Sequence, residues 1–241
     1  MRTGLPVDAP AANDALQPKL IYLARRNPAL SRTDFVARWR RHGALGMSRP
    51  RWRNIARYVH CDVLDPPAPT PAVDPGYDAI GMVWHRSPAA RAAHLADTDS
   101  RLQMEQDELE TFARPIVETC LLAREHMLLA PPAASATAVK LTRFLQATDD
   151  ARSPGEAFTP EFVATRHREL AAAGASVRGH LLDLPLPPER GAAWGLRCAA
   201  IEEFWFDGLE AAEAAACRLT ADPVAPASVA VLTNEVLLYS T

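Results

Sequence analysis

The sequence predicts an α+β protein: two tandem ferredoxin-like βαββαβ repeats whose antiparallel sheets pack together as an α/β barrel. Three observations lead to this class. The first is an internal repeat, since Lys19-Leu20-Ile21-Tyr22-Leu23 and Lys140-Leu141-Thr142-Arg143-Phe144 open the two halves 121 positions apart. Ile80 and Ile201, and Trp84 and Trp205, keep the same offset, while His60 and His180 are 120 apart. Repeats at a fixed spacing mark one folding unit used twice. The second is that both halves run strand, helix, strand, strand, helix, strand, the split βαβ order. The third is that strands are apolar on both faces. Leu20, Tyr22 and Ala24 alternate with Ile21 and Leu23, so the sheet face left bare by the helices must also be covered, and a second sheet is the natural cover.

Each element has its own justification. Residues 19–25 form an apolar strand that Asn27-Pro28 ends. Ser31-Arg32-Thr33-Asp34 places an acid three residues after a serine, a capping box, and Phe35, Val36 and Trp39 give the following helix an apolar face. Strands are expected at 56–64 and 77–85, separated by a Pro-rich loop at 65–75. Ser87-Pro88 initiates a helix to about residue 97, a more polar helix follows from Ser100 to about Ala113, and 117–129 is the fourth strand. The second half repeats the plan with a strand at 139–146, a helix at 159–173, strands at 177–184 and 198–206, a helix at 207–219 and a strand at 228–239. The expected division is a flexible N-terminal extension (1–18), a first domain (19–130), a linker (131–138) and a second, divergent domain (139–241).

Composition excludes several classes. Of 241 residues, 48% are hydrophobic and 23% charged, ordinary for a protein with a real core. Twenty-six Lys and Arg against 29 Asp and Glu leave a net charge of -3, so no basic field attracts nucleic acid. The first 18 residues lack the apolar stretch of a signal peptide, and no run of ~18 apolar residues would span a bilayer; no membrane partner and a cytoplasmic location are expected. Cys61, Cys120, Cys198 and Cys217 are far apart, without the C-x-x-C pairs of a zinc site. His94, His126 and His167 lack metal-ligand spacing, and neither a G-x-G-x-x-G nor a P-loop occurs, so no metal and no cofactor is expected.

The stretch Lys19–Leu129 resembles the EthD family of the dimeric α/β-barrel superfamily. The likeness rests on Asn27-Pro28-Ala29-Leu30-Ser31-Arg32 leading into Asp34-Phe35, then Trp39 and His42-Gly43-Ala44-Leu45. It continues through Arg57-Tyr58-Val59-His60, Tyr77-Asp78-Ala79-Ile80 and Trp84, and ends at Arg124-Glu125-His126. The second half is a weaker copy: Ala200-Ile201-Glu202-Glu203-Phe204-Trp205 keeps the third strand, but Arg166-His167-Arg168 stands where Trp and His would be. The resemblance implies a barrel that binds a small molecule, further dimerisation as a homodimer, and an activity among cofactor-free isomerases, cyclases, dehydratases, decarboxylases or haem-binding monooxygenases.

His42 is the leading candidate for acid/base chemistry. It shares a helical face with Phe35 and Trp39, its imidazole titrates near neutrality, and its place near the helix C-terminus would favour the protonated form; the alternative is a histidine that caps its helix or pairs with a carboxylate. Tyr58 and His60, two apart on a strand, point to one face and could orient a carbonyl. His180 repeats His60. Trp84 and Trp205 recur as wall residues, and Glu203 shares their face, where an apolar barrel would raise its pKa. Tyr22 and Trp39 complete the expected substrate-binding set. A salt bridge to arginine is expected for Glu202 rather than Glu203. The leading reading is a cofactor-independent enzyme acting on an apolar or aromatic carbonyl metabolite between the facing sheets. A non-catalytic ligand-binding protein and a haem-binding monooxygenase are the alternatives, and whether one chain or two closes the barrel is left open.

Overall fold

Eight antiparallel strands form one closed barrel in the computed structural model, in the order β1-β3-β2-β8-β5-β7-β6-β4 and back to β1. The structure describes residues 17–64, 72–74, 76–132, 138–146, 158–188, 194–220, 222 and 226–241. The extension expected at 1–18, the loop at 65–75 and the linker at 131–138 therefore lie largely outside the described residues. In the first half the elements are β1 (Lys19–Ala24), α1 (Arg32–Met47), β2 (Ile55–Val63), β3 (Ala79–His85), α2 (Pro88–Ala96), α3 (Thr98–Thr111) and β4 (Cys120–Leu129). The second half holds β5 (Val139–Leu145), α4 (Pro160–Ala172), β6 (Gly179–Pro185), β7 (Ala200–Phe206), α5 (Leu209–Thr220) and β8 (Ala227–Ser240). No helix among the described residues is long and apolar enough to cross a membrane.

Local signals explain the helix ends. Ser31 caps α1 by accepting from the Asp34 backbone N–H at 3.1 Å, and its hydroxyl donates to the Asp34 carboxylate at 2.6 Å. Ser87 caps α2 with Pro88 in the first turn, Asp97 caps α3, and Thr159 caps α4. A 3-10 turn at Pro50–Asn54, not anticipated from the sequence, leads from α1 into β2.

The halves do not stack as two separate sheets. Each has the ferredoxin-like order β4-β1-β3-β2 or β8-β5-β7-β6, and their edges are hydrogen-bonded at two seams. At one seam Cys61 pairs with Glu235, and at the other Glu125 pairs with Asp183. Closure leaves no strand edge unpaired, which a pair of stacked sheets would not achieve. A single chain supplies all eight strands.

Side chains alternate across the wall. Ile21, Leu23, Val59, Ile80, Leu121 and Phe144 point inward and are essentially solvent-free. The lumen also holds charge. Lys19, fully buried, reaches Asp183 at 2.8 Å and Glu125 at 2.9 Å and pairs with Glu203. Lys140, at the equivalent place in the second half, pairs with the other oxygen of Glu203 and lies 3.2 Å from Glu235. Arg57 closes the set by donating to Glu235 at 3.0 Å. Three cations thus meet four carboxyl groups, and burial together with the neighbouring Glu203 pushes Asp183 well above the usual carboxylate range. Asp183 Oδ2 accepts from Lys19, whereas its Oδ1 is buried without a donor. A proton on Asp183, whose carboxyl group hydrogen-bonds Glu203, makes the lumen neutral.

Two measurements test this arrangement. Glu203→Gln leaves two buried ammonium groups without their common counter-ion and should cost about 3–5 kcal/mol in chemical denaturation. Asp183 binds its proton more tightly folded than unfolded, so its contribution to stability declines as pH rises from about 4, its unfolded value, through the raised folded one. Asp183→Asn should keep the fold and flatten that decline; an unchanged pH slope would show that Asp183 is ionised in the lumen.

Candidate active site

The barrel wall separates the residues expected to share one pocket. Tyr22, Tyr58 and His60 point outward, toward the helices of the first half. Trp84, Glu203 and Trp205 point into the lumen with Lys19 and Lys140. The expectation of a substrate chamber between facing sheets is corrected: the lumen is filled by apolar side chains and the ion network. Trp84 and Trp205 lie 4.9 Å and 4.6 Å from the Lys19 and Lys140 ammonium groups, as cation–π partners rather than ligand walls. Glu203 is likewise occupied by lysines, which hold it ionised below its usual range against the effect of burial.

The outward residues of the first half form a connected polar cluster beneath α1. Trp39 stacks flat on His60, with ring centroids 3.5 Å apart, and its indole N–H donates to the Tyr22 hydroxyl at 3.1 Å. Arg40 donates to His60 Nδ1 at 2.5 Å and also binds Asp62. Because a guanidinium can only donate, His60 Nδ1 accepts and its proton sits on Nε2, which donates to the Tyr58 hydroxyl at 2.5 Å. Tyr58 and Tyr22 are 3.4 Å apart, oxygen to oxygen. Trp39 N–H and His60 N–H each occupy one phenol oxygen, and one phenol donates to the other. One phenol O–H is then left over, whichever way the pair is turned. Burial keeps both phenols protonated, raising Tyr22 to about 12 and Tyr58 well above its ordinary value. Burial and Arg40 hold His60 well below 6.5, hence neutral.

His42 is a short distance along α1. Its Nδ1 donates to Asp107 Oδ2 at 2.7 Å, and Arg38 grips both oxygens of the same carboxylate, at 2.5 Å and 3.1 Å. This leaves His42 Nε2 as the basic nitrogen. The expected helix-end bias toward a charged His42 is corrected: burial lowers its pKa, and Asp107 only partly offsets the effect. His42, Tyr22 and Tyr58 line one cavity of about 100 Å³ between the sheet and α1, α2 and α3, with Leu20, Val83 and Met104 as apolar wall and Arg51, Trp52 and Glu108 toward its half-exposed side. The structure thus brings together His42, Tyr58, His60, Tyr22 and Trp39.

Residues missed by the sequence reading complete the site. Asp107, which orients His42, lies 65 positions away in a helix that looked merely polar. Gly81 faces Tyr22 across the β1–β3 pair, and a Cβ there would fall 1.9 Å from Tyr22 Cζ, so the ring crosses the strand only because position 81 has no side chain. Gly43 lets α1 settle on the rings; its Cβ would lie 3.2 Å from Tyr58 and 3.4 Å from His60. The one available signal was a glycine inside a β-branched and aromatic strand, which marks a close approach.

His180 does not repeat His60 as expected: it pairs with Phe204 as Tyr58 pairs with Val83, and Leu182 takes the place that His60 has in the first half. His180 stacks on Phe204, donates from Nε2 to Glu202 at 2.9 Å, and accepts at Nδ1 from His167 at 2.9 Å. Glu202 also takes Arg166 and Arg143, each at 2.5 Å; burial opposes its charge, but the arginines and His180 hold it at about 2. The expected arginine bridge at Glu202 is present. With both ring nitrogens engaged, His180 is a packed core residue and shares no cavity with His42. A larger depression of about 410 Å³, lined by Asp74, Arg143 and Leu219 among others, borders residues outside those described.

The fold is an eight-stranded α/β barrel of two ferredoxin-like halves with a polar site beneath the first half's helices. Residues 27–116 match the family model described as EthD domain. Among solved structures, the chain is similar to a provisionally named chlorite dismutase, at 10% identity and a TM-score of 0.51 over 92% of this chain and 95% of that one. It is also similar to an anthrone oxidase-like protein, at 10% identity and a TM-score of 0.49 over 93% and 92%. A variant chlorite dismutase from Candidatus Nitrospira defluvii matches at 10% identity and a TM-score of 0.49 over 90% of each chain. At 10% identity the likeness to the first of these, with its TM-score of 0.51, shows the fold alone. No curated protein sequence matches the chain.

Gly81→Ala tests how the site is built. The added methyl must displace the Tyr22 ring, uncoupling the phenol pair, and should destabilise the protein by about 1–3 kcal/mol. Equilibrium denaturation, with near-UV circular dichroism for the aromatic cluster, gives the answer; a wild-type result in both would show that the ring does not cross position 81.

Proposed function

We propose that the chain is a small-molecule enzyme that moves a proton within a carbonyl compound: an isomerase, cyclase, dehydratase or decarboxylase in reaction class. One observation carries this reading. A neutral histidine oriented by a carboxylate and a phenol pair with one uncommitted O–H line the same small, mostly apolar cavity.

The roles follow from the proton positions. The uncommitted phenol O–H would donate to the substrate carbonyl oxygen and stabilise the negative charge that grows there as the neighbouring C–H bond breaks. High phenol pKa values suit this role, since a phenolate could not donate. His42 Nε2 would take the carbon-bound proton and return it elsewhere, with Asp107 stabilising the imidazolium formed meanwhile. His60 and Arg40 touch no substrate; they fix the direction of the phenol hydrogens and are positioning residues. The cavity is smaller than the ~150 Å³ site that holds benzene in an engineered protein, so the reacting part of the substrate has on the order of six heavy atoms.

Haem fits poorly. His42 has the free nitrogen an axial ligand requires, but about 100 Å³ between α1 and the sheet gives no room for a porphyrin, and His60 and His180 have both ring nitrogens bonded. A purely ligand-binding role would use the same cavity without needing His42 Nε2.

Exchange of α-protons tests the proposal without a known substrate. Wild-type protein in D2O should accelerate deuterium uptake by small ketones such as cyclopentanone, followed by NMR. His42→Ala and Tyr58→Phe should each reduce the acceleration by about 10²-fold or more. The His42 base form persists down to its lowered pKa, so the rate should fall only below pH 6.5, and Asp107→Asn, which removes the anion that raises that pKa, should move the acid limb lower still. Exchange at the background rate across a panel of ketones, or full activity in His42→Ala, would sink the assignment.

A further inference from the structure

The cavity has a second polar end that the proton chemistry does not use. Arg51 and Trp52 sit side by side on the 3-10 turn between α1 and β2, and both line the cavity. Trp52 packs edge-on against Tyr58 and Tyr239, with centroids at 5.2 Å and 5.6 Å, yet its indole N–H is buried without an acceptor. Buried donors are rarely left so, and an orphan facing a cavity points to an occupant that accepts. Arg51 adds a second donor. Among the described residues no carboxylate stands within ion-pair distance of its guanidinium, and the lining carboxylate Glu108 already accepts from the Ile116 backbone N–H at 2.9 Å.

The two histidines at this end supply no anion. His94 donates from Nδ1 to the Arg51 carbonyl at 3.2 Å, and His85 donates from Nδ1 to the Pro18 carbonyl at 3.3 Å. Burial, with Arg51 and Arg91 nearby, holds His94 at about 4 and His85 at about 3, so both are neutral. Asp97, Glu108 and Glu105 act on Arg51 from beyond ion-pair distance, which leaves its guanidinium able to take a carboxylate in the cavity.

We infer that the natural substrate is a carbonyl acid, whose carboxylate is received by the Arg51 guanidinium and the Trp52 indole N–H while its carbonyl lies at the Tyr22–Tyr58 end. A guanidinium beside an indole N–H offers several donors to two carboxylate oxygens, and charge-assisted bonds of this kind are the strong ones. The acid group fixes which carbon of the substrate lies against His42. This inference rests on the cavity being the substrate site, and it narrows the substrate class of the proposed enzyme.

Isosteric pairs supply the test: crotonate against crotonamide, and benzoate against benzamide, titrated into the intact wild-type protein. The Trp52 indole N–H resonance, assigned by its loss in Trp52→Phe, should move downfield with the acids. The acids should bind about tenfold or more tightly than the amides, a preference lost in Arg51→Gln and partly restored in Arg51→Lys. Equal binding of acid and amide, or no response of the Trp52 resonance to any acid, overturns the carboxylate end. The two proposals fail separately: acid preference without α-proton exchange would retain this site and remove the enzyme, whereas exchange without acid preference would do the reverse.

Discussion

A single buried carboxylate, Glu203, holds the two halves of the molecule in register. Its oxygens face Lys19 from the first strand of one half and Lys140 from the first strand of the other. An ammonium buried in apolar surroundings is costly unless a counter-ion is supplied with good geometry. Lys140 meets Glu203 and Glu235 within its own half, whereas Lys19 has only Glu125 from its own half and depends on Asp183 and Glu203 of the other. The lumen therefore works only with both halves present and aligned, and the backbone bonds at the two seams repeat that alignment along the strands. Hydrophobic packing alone would tolerate a slip between half-sheets; a two-residue shift would move Lys19 away from Glu203 and Asp183.

The near-symmetry of this network shows where the repeat has been broken. Lys19 with Trp84 and Glu125 mirrors Lys140 with Trp205 and Glu235. Opposite Glu203, the first half has Met82, whose sulfur lies 3.3 Å from the Lys140 ammonium. Two glutamates there would add a charge that no third lysine balances, and Asp183 already has to hold a proton. With Asp183 protonated, one shared glutamate together with Glu125 and Glu235 balances Lys19, Lys140 and Arg57 and keeps the lumen neutral.

Much of this could be read from the sequence, for identifiable reasons. The 121-residue repeat and the apolar period gave the barrel, because strands with two apolar faces leave few other architectures. Period two also placed Tyr58 with His60, and Glu203 with Trp205, on shared faces. It cannot say which face is the lumen when both are apolar, and so Trp84 and Trp205 were grouped with His42 although the sheet lies between them. Lys19 and Lys140 held a clue, since lysines repeated at one position of two apolar strands must meet counter-charges inside. Asp107 had no signal of its own: it stands among other acids and amides on α3, and only the packing of α3 against α1 singles it out. The pocket-facing pair Arg51-Trp52 was hidden in the same way, on a turn whose helical geometry no periodicity announces.

The difference between the two helix-covered faces follows from these constraints. Each half has a histidine on the outward face of its second strand, His60 and His180, two positions apart in register, and each stacks on an aromatic ring. Beneath α4 the space is filled by Phe158, Leu182, Glu202 and two arginines, an arrangement that satisfies its charges internally. Beneath α1 a cavity persists, with an unsatisfied indole N–H and a spare phenol proton. Voids and unpaired donors destabilise a protein, and a fold retains them where ligand binding gives something in return. Because the lumen and both seams already bind the first half firmly to the second, the first half can keep an incompletely packed face without coming apart. The barrel thus divides its labour: one copy of the repeat completes the structure, and the other has the freedom to leave room for a substrate.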